Sequence, residues 1–186
     1  MLTYQGDSLS DEAIPDEGRT SYSAYLDKSD PTIACIGARA LDFHGGVQRA
    51  LGDYGNPQLV RYEPGQKVNL HYDWWNEPQK RNGQSYNRRT TVLAYLEDAC
   101  TGGETYFPLI RALNDSVAQG RSYQEMRFWT DTDDGQGLLV RPRRGNALYW
   151  VNLHANGTGD ARTLHASLPV TEGRKVAMNF WPPQYF

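Results

Sequence analysis

The stretch Lys67-Val68-Asn69-Leu70-His71-Tyr72-Asp73-Trp74 decides how this chain is interpreted. Side chains alternate between the two faces of a β-strand, so the four apolar or aromatic residues share one face and the four polar residues share the other. His71 and Asp73 then project from one face with their roots about 6 to 7 Å apart, which allows an imidazole and a carboxylate to bind one metal ion. The pair is weak evidence by itself, because a His-x-Asp spacing is common by chance.

The residues after Pro57 continue the alternation. Runs rich in Val, Leu, Tyr, Trp and Thr are separated by turns that contain Gly, Pro or Asn, which predicts eight short strands. Eight short strands after a single helix predict a mainly β (α+β) fold, a closed β-sandwich or jelly roll. The predicted strands are residues 58–63, 67–75, 89–96, 103–107, 137–140, 146–153, 163–170 and 175–181.

One helix is predicted before the strands, over residues 31–51. Asp30 suits the N-cap and Pro31 the first helical position, whereas Gly45-Gly46 favours an end or a break. The apolar residues at helical spacing are Ile33, Ile36, Ala40 and Leu41.

The domain organisation follows from this pattern. Residues 1–18 are acidic and aperiodic, which predicts a mobile or loosely docked arm. Residues 19–186 are predicted to form one domain, with the helix at 31–51 and a jelly-roll core at 58–182.

Two polar stretches interrupt the strands, at residues 76–87 and 111–136. The first directly follows the His71 and Asp73 segment, and its length and polarity predict a flexible lid. The second, with Asp131-Thr132-Asp133-Asp134, is predicted to be surface decoration.

Composition limits the classes of function. The 186 residues are 39% hydrophobic, which suits one domain with a substantial core. The formal net charge of -3 argues against nucleic acid as a partner, because phosphate binding normally requires a basic excess. No apolar run is long enough to predict a membrane span. Two cysteines, Cys35 and Cys100, allow at most one disulfide and are too few for a cysteine-built zinc site.

Two further polar side chains stand on otherwise apolar strands. In the predicted strand 163–170, His165 lies opposite the apolar face. In the strand 175–181, Lys175 is in phase with Asn179 and Trp181, whereas Met178 belongs to the other face. A buried ammonium group is costly unless an anion meets it, so we expect a buried carboxylate partner for the lysine. A structural ion pair, or a lysine that reaches to the barrel rim, would explain the same pattern.

Two imidazoles and one carboxylate on one face of a metal octahedron leave three positions open, which is the arrangement in non-haem Fe(II) oxygenases. The open positions can take two oxygens of a chelating co-substrate and then dioxygen. Lys175 would neutralise the far carboxylate of a dicarboxylate such as 2-oxoglutarate.

The chain resembles the prolyl 4-hydroxylases of the 2-oxoglutarate-dependent Fe(II) oxygenase superfamily. The order and spacing of eight short motifs carry the resemblance, followed by a lysine ten residues after the second histidine. The motifs are Arg19-Thr20-Ser21, 60–66 (Val-Arg-Tyr-Glu-Pro-Gly-Gln), His71-Tyr72-Asp73, 89–96, 102–108 (Gly-Gly-Glu-Thr-Tyr-Phe-Pro), 142–147 (Pro-Arg-Arg-Gly-Asn-Ala), 150–154 (Trp-Val-Asn-Leu-His) and 159–166 (Gly-Asp-Ala-Arg-Thr-Leu-His-Ala).

The resemblance implies a double-stranded β-helix (jelly-roll, cupin-like) fold with the N-terminal helix packed on the outside of the sheet. It implies hydroxylation of prolyl residues in a peptide or protein to 4-hydroxyproline, with succinate and carbon dioxide as co-products. The implied cofactors are Fe(II), 2-oxoglutarate as co-substrate and ascorbate as reductant. The implied residues are His71, Asp73 and His165 as iron ligands, Lys175 as the anchor of the 2-oxoglutarate carboxylate, Tyr62, Thr105 and Trp181 around that carboxylate, and Arg89 in contact with the peptide.

Alternatives remain at this stage. The same chemistry could act on a free amino acid or another small molecule, and a binding module could keep the fold without catalysis. The segment Ala166-Ser167-Leu168 departs from the Gly-Cys pair that many relatives have before the proline. We expect the endoplasmic reticulum lumen or secretory pathway if the chain is a trimmed eukaryotic protein, and the cytoplasm if it is complete. The sequence predicts no oligomeric state.

Overall fold

The computed structural model describes residues 18–43, 55–111, 129–132 and 137–186. Within them lie one α-helix, α1 (Pro31–Phe43), a 3-10 turn (Ala161–Thr163) and thirteen strands, so the predicted mainly β fold is confirmed. The strands are β1 (Tyr22–Tyr25), β2 (Gln58–Tyr62), β3 (Val68–His71), β4 (Gln79–Arg81), β5 (Gln84–Arg88), β6 (Thr90–Gly102), β7 (Thr105–Phe107), β8 (Trp129–Asp131), β9 (Leu138–Val140), β10 (Ala147–Val151), β11 (His165–Ser167), β12 (Val170–Phe180) and β13 (Pro183–Tyr185).

Two antiparallel five-stranded sheets form the barrel. The major sheet has the order β1-β2-β12-β6-β10, and the minor sheet has the order β3-β11-β7-β9-β8. A third, three-stranded sheet, β13-β5-β4, flanks them. Residues of both large sheets line one cavity. This is the jelly-roll arrangement that the sequence predicts.

The helix packs on the outer face of the major sheet. Met178 and Phe180 of β12 are buried there, and Ile33 and Ile36 of α1 pack against them. Burial of these side chains gives the outer layer its hydrophobic stabilisation. The prediction of a helix on the outside of the sheet is therefore confirmed.

The N-terminus of α1 has the predicted cap. The Asp30 carboxylate accepts hydrogen bonds from the backbone N–H groups of Thr32 (2.8 Å) and Ile33 (3.2 Å), which satisfies donors that have no partner within the helix. The described helix ends at Phe43, and the rest of the predicted span, residues 44–51, lies outside the described residues. Residues 1–17 of the predicted arm lie outside them as well.

The prediction that the polar stretch 76–87 interrupts the strands is wrong. They contain the hairpin of β4 and β5, and β13 adds to its edge. Asn82 (φ 50°) and Gly83 (φ 79°) both have positive φ, as a two-residue turn of type I′ requires. Within the stretch 111–136, predicted as surface decoration, the described residues include strand β8, which pairs with β9. Residues 112–128 and 133–136 lie outside the described residues, so this stays a prediction. Whether the hairpin acts as a lid stays a prediction.

The strand predicted over residues 67–75 ends early, at His71. Beyond it, the Asn87 side chain binds the backbone of Trp75, accepting from its N–H (3.0 Å) and donating to its carbonyl (2.7 Å). These bonds replace a sheet ladder, so Asp73 lies on a bend and not on the strand. Leu70, predicted on the apolar face, is 51% exposed.

The sequence allows at most one disulfide and predicts no membrane span. Cys35 and Cys100 are free thiols. Among the described residues, no helix combines the length and the apolar character needed to cross a membrane.

Candidate metal site and its cavity

The two predicted histidine ligands face each other across neighbouring strands. His71 of β3 and His165 of β11 are directly paired in the register, and their ring centroids lie 4.2 Å apart. The Nδ1 atom of His71 lies 2.8 Å from the carbonyl oxygen of Asn69, and that of His165 lies 2.9 Å from the carbonyl oxygen of Thr163. A carbonyl only accepts, so each Nδ1 carries the proton and each Nε2 keeps a free lone pair. Both rings are therefore in the tautomer that binds a metal through Nε2.

The carboxylate of Asp73 completes the cluster. Its Oδ1 lies 3.8 Å from Nε2 of His71 and its Oδ2 lies 3.7 Å from Nε2 of His165. One ligand atom from each of the three residues lies within 4.8 Å of the other two. Asp73 is 4% exposed, and a buried carboxylate that faces two imidazoles suits a divalent first-row metal such as iron(II).

The surroundings of Asp73 and His71 keep these two side chains in their metal-binding forms. Burial acts to raise the pKa of Asp73, but the two imidazoles, the Arg88 guanidinium and a hydrogen bond from Thr91 outweigh it, so the pKa lies below its usual value. Loss of hydration, followed by the neighbouring His165, lowers the pKa of His71. An ionised carboxylate and a neutral imidazole are the ligand forms that a metal requires.

The second part of the site is the buried ammonium group of Lys175, which is 1% exposed. Its Nζ donates to the Gly103 carbonyl (2.7 Å) and to the Ser167 hydroxyl (2.7 Å), and lies 4.3 Å from the centre of the Tyr62 ring. Burial lowers the pKa of Lys175 to about 7. The expectation of a buried carboxylate partner is wrong for the described part of the chain, because no ion pair is formed there by this lysine.

One cavity of about 430 Å³ joins the two parts. The cavity lies between the two sheets. His71, Asp73 and His165 line it on the side of the minor sheet, and Lys175 lines it on the side of the major sheet. The predicted site residues that line it are Tyr62, His71, Asp73, Thr105, His165, Lys175 and Trp181.

The three residues predicted around the co-substrate carboxylate lie in this cavity wall. Tyr62 is buried beside Lys175, and burial raises its pKa, so its hydroxyl stays protonated. The Thr105 hydroxyl lies 2.8 Å from the hydroxyl of Tyr95, a residue that the sequence analysis did not single out. Tyr95 was missed because a tyrosine on an apolar strand carries no signal that distinguishes it from core.

The structure does not bring Arg89 to the cavity. Its side chain is exposed and Nη1 donates to Gln184 (3.4 Å). The neighbouring Arg88 lines the cavity instead, with its guanidinium 3.8 Å from the centre of the Trp181 ring and 4.5 Å from that of Trp75. Of this adjacent pair, only Arg88 points into the cavity, and contact between Arg89 and a peptide stays a prediction.

Comparisons with known proteins agree with this geometry. A family model described as the 2OG-Fe(II) oxygenase superfamily matches residues 57–182. The chain is 33% identical over 175 residues to probable prolyl 4-hydroxylase 7 of Arabidopsis thaliana, covering 94% of this chain and 52% of that protein. It is 37% identical over 172 residues to probable prolyl 4-hydroxylase 6 of the same plant, covering 92% and 56%. The chain thus spans about half the length of the curated relatives that it matches.

Two solved structures have a similar fold. The viral collagen prolyl hydroxylase of Paramecium bursaria Chlorella virus-1, in its complex with 2OG, superposes with a TM-score of 0.62 at 22% identity, covering 88% of this chain and 78% of that one. A prolyl hydroxylase from Trichoplax adhaerens, in complex with a hypoxia inducible factor oxygen degradation domain peptide fragment, has a TM-score of 0.57 at 16% identity, covering 96% and 68%.

Proposed function

Because the chain belongs to the 2OG-Fe(II) oxygenase superfamily, we propose that it hydroxylates prolyl residues of a peptide or protein to 4-hydroxyproline. One oxygen atom of dioxygen enters the new hydroxyl group, and the other enters succinate as 2-oxoglutarate loses carbon dioxide. The observation that carries the proposal is the convergence of His71, Asp73 and His165 on a cavity that also contains the ammonium group of Lys175, which has no ion-pair partner among the described residues. The prolyl 4-hydroxylase names of the relatives support the choice of substrate.

Three side chains would hold the iron. His71 and His165 offer Nε2 lone pairs because their Nδ1 protons are committed to backbone carbonyls, and Asp73 offers an ionised oxygen. Bound iron(II), together with 2-oxoglutarate, supplies the oxygen-activating chemistry that converts a C–H bond to C–OH.

The side of the cavity that Lys175 lines would bind the co-substrate. A dicarboxylate would supply the anion that this ammonium group lacks within the described part of the chain. The Ser167 hydroxyl that now accepts from Nζ could turn to donate to the same carboxylate. The hydroxyls of Tyr62 and Thr105 would add neutral donors, because burial holds the tyrosine in its protonated form. Binding one end of the ligand at Lys175 would orient its other end toward the iron ligands.

The substrate would approach past Arg88. Its guanidinium lies over the rings of Trp75 and Trp181, so a planar cation and two aromatic faces form part of the cavity wall. Such surfaces suit the backbone carbonyls and rings of a proline-containing peptide. From the family resemblance, ascorbate is proposed as the reductant that keeps the iron ferrous.

The test is mass spectrometry of proline-rich peptides incubated with the protein, Fe(II), 2-oxoglutarate and ascorbate. We expect a gain of about 16 Da on a prolyl ring, equal to one oxygen atom. The Asp73→Ala variant should lose both hydroxylation and succinate formation, and unchanged succinate-coupled turnover in it would contradict the assignment. Free proline forms the comparison arm, because its modification without any modified peptide would instead support the small-molecule alternative.

A further inference from the structure

The carboxylate of Asp73 is held in place by a residue of another strand, β6. Asp73 lies beyond the end of β3, so no ladder bond of that strand sets the direction of its side chain. The Thr91 hydroxyl of β6 donates to Oδ2 of Asp73 over 2.6 Å, a short distance for an O–H bond to an ionised oxygen. Strand β6 belongs to the major sheet, so the bond connects the candidate metal site to the most extensively paired part of the barrel.

The Thr91 hydroxyl is itself oriented by Asn152. Nδ2 of Asn152 lies 2.9 Å from Oγ1 of Thr91, and an amide nitrogen only donates. The threonine oxygen therefore accepts from Asn152, and its single proton is directed to Asp73. Both Thr91 and Asn152 are 0% exposed, so water does not compete for these bonds.

Asn152 is anchored by the main chain. Its N–H donates to the Arg89 carbonyl (2.8 Å) and its carbonyl accepts from the Asp160 N–H (2.8 Å). Its side-chain oxygen, by contrast, is buried and has no hydrogen-bond partner among the described residues. An unsatisfied buried carbonyl costs about 1–3 kcal/mol, so this amide is poorly suited to a purely structural role. Its donor group, directed at Thr91, is the part with an evident use.

We propose that Thr91 and Asn152 are positioning residues that hold the Asp73 carboxylate in the orientation that binds the metal, an inference that rests on the proposed function. The chain Asn152–Thr91–Asp73 fixes Oδ2 and thereby the rotation of the carboxylate, so that Oδ1 stays directed toward His71. Removal of the threonine hydroxyl frees this rotation and leaves the carboxylate without its hydrogen-bond donor. Partners of this kind contribute about 10- to 100-fold to metal affinity in other sites.

The experiment measures metal affinity and needs no turnover. Isothermal titration of the metal-free protein with Mn²⁺, a stand-in for Fe(II), gives a dissociation constant for each variant. For Thr91→Val, which keeps the shape and removes the hydroxyl, we expect an affinity about 10- to 100-fold weaker. Thr91→Ser restores the donor and should bind within about threefold of the original protein. Thr90→Val is the matched control, because Thr90 is the adjacent residue of β6 and is also buried, and we expect the Mn²⁺ affinity of this variant to be unchanged.

Asn152→Ala probes the same chain from its far end and keeps the proposal testable if Thr91→Val does not fold. We expect weaker Mn²⁺ binding in Asn152→Ala, and no further loss when Thr91→Val is added, because both changes interrupt one chain. Unchanged affinity in Thr91→Val or in Asn152→Ala, or a serine variant as weak as the valine variant, would overturn the inference. Failure of the unsubstituted protein to bind Mn²⁺ through Asp73 would instead overturn the proposed function, so the two failures are distinguishable.

Discussion

Lys175 has an unusual balance of interactions at the residue scale. Its ammonium group is buried against a carbonyl, a hydroxyl and an aromatic ring, and it lacks an anionic protein partner within the described residues. Burial without an ion pair disfavours the charged form. The residue therefore destabilises the ligand-free fold and is suited to a dicarboxylate.

Replacement of this lysine should separate stability from binding. In Lys175→Met, an apolar chain of similar length occupies the same space, so we expect the free energy of unfolding of the ligand-free protein to rise by about 1–4 kcal/mol at pH 7. We also expect 2-oxoglutarate no longer to raise the unfolding temperature. Thermal denaturation with and without the dicarboxylate measures both effects. A variant that is less stable, or still stabilised by 2-oxoglutarate, would contradict this account of the lysine.

The two adjacent arginines offer a paired test of substrate contact. Arg88→Ala removes the guanidinium stacked on Trp75 and Trp181, and we expect KM for the peptide to rise about tenfold or more, equivalent to about 1.4 kcal/mol. Arg89→Ala changes only an exposed side chain and should alter KM by less than about threefold. Because Arg88 also donates to the Asp73 carbonyl, Mn²⁺ affinity should be measured in both variants. A larger effect at Arg89 would support the sequence-based choice.

The sequence alone identifies site residues that have distinctive chemistry, but it does not identify the residues that hold them in position. His71, Asp73, His165 and Lys175 could be singled out because imidazole, carboxylate and ammonium groups are conspicuous on apolar strands, and the structure brings all four to one cavity. Thr91 could not be singled out in the same way. Threonine is an ordinary strand residue, and its contact with Asp73 depends on how two sheets pack, which no local pattern records.

At the scale of elements, strands β6 and β12 show when the alternation of side chains along a strand correctly predicts the face on which each residue lies. In the register, Val176 pairs with Glu97 and Ala177 pairs with Tyr95, so Leu96 of β6 is left unpaired in a bulge. Strand β12 has no extra residue at this point and keeps its period of two. The phase predicted for residues 175–181 is accordingly confirmed, with Lys175, Asn179 and Trp181 at the cavity and Met178 and Phe180 against the helix. The same reasoning applied along β6 would fail at Leu96.

The hairpin of β4 and β5 is indicated in the sequence by its turn residues, Asn82-Gly83. Asn-Gly between two short polar runs is a strong indication of a two-residue hairpin turn, yet the polarity of the flanking residues favoured a loop. Hydrophobic alternation predicts only strands with one buried face. Strand β4 has an exposed, charged composition and is detected from its turn alone.

The outer helix should contribute stability without contributing to metal binding. Ile36 of α1 packs against Met178 and Phe180 and is partly buried, so Ile36→Ala should lower the free energy of unfolding by about 1–2 kcal/mol. The metal ligands lie on the opposite side of the major sheet, and we expect Mn²⁺ affinity to change by less than about twofold. Chemical denaturation and calorimetric titration provide the two measurements. A parallel loss of affinity would mean that the helix shapes the site.

At the scale of the whole molecule, the cavity between the sheets makes stability depend on pH. The pKa of Lys175 is about 7 in the folded state, compared with 10.5 for an unperturbed lysine. Between these values the unfolded chain carries a proton on this residue and the folded chain does not, so unfolding takes up a proton and stability rises with pH. The penalty is complete below about pH 7 and disappears above about pH 10.5.

The titration of Lys175 predicts that the difference in free energy of unfolding between Lys175→Met and the original protein depends on pH. The stability advantage of Lys175→Met over the original protein should be largest at pH 6.5 and should shrink steadily toward pH 9.5, because the penalty exists only in the protein that has the lysine. Urea denaturation of both proteins across this range measures the difference and cancels the other titrating groups. A constant or widening difference would show that the buried amine is not the source.

The same lysine has a calorimetric consequence. At pH 8 most of the ligand-free protein holds a neutral amine in the cavity, whereas a bound dianion would favour its ammonium form. Occupation of the cavity by 2-oxoglutarate should then withdraw up to one proton from the buffer, and the measured heat should scale with the ionisation enthalpy of whichever buffer is chosen. Titrations in two such buffers would count that proton directly.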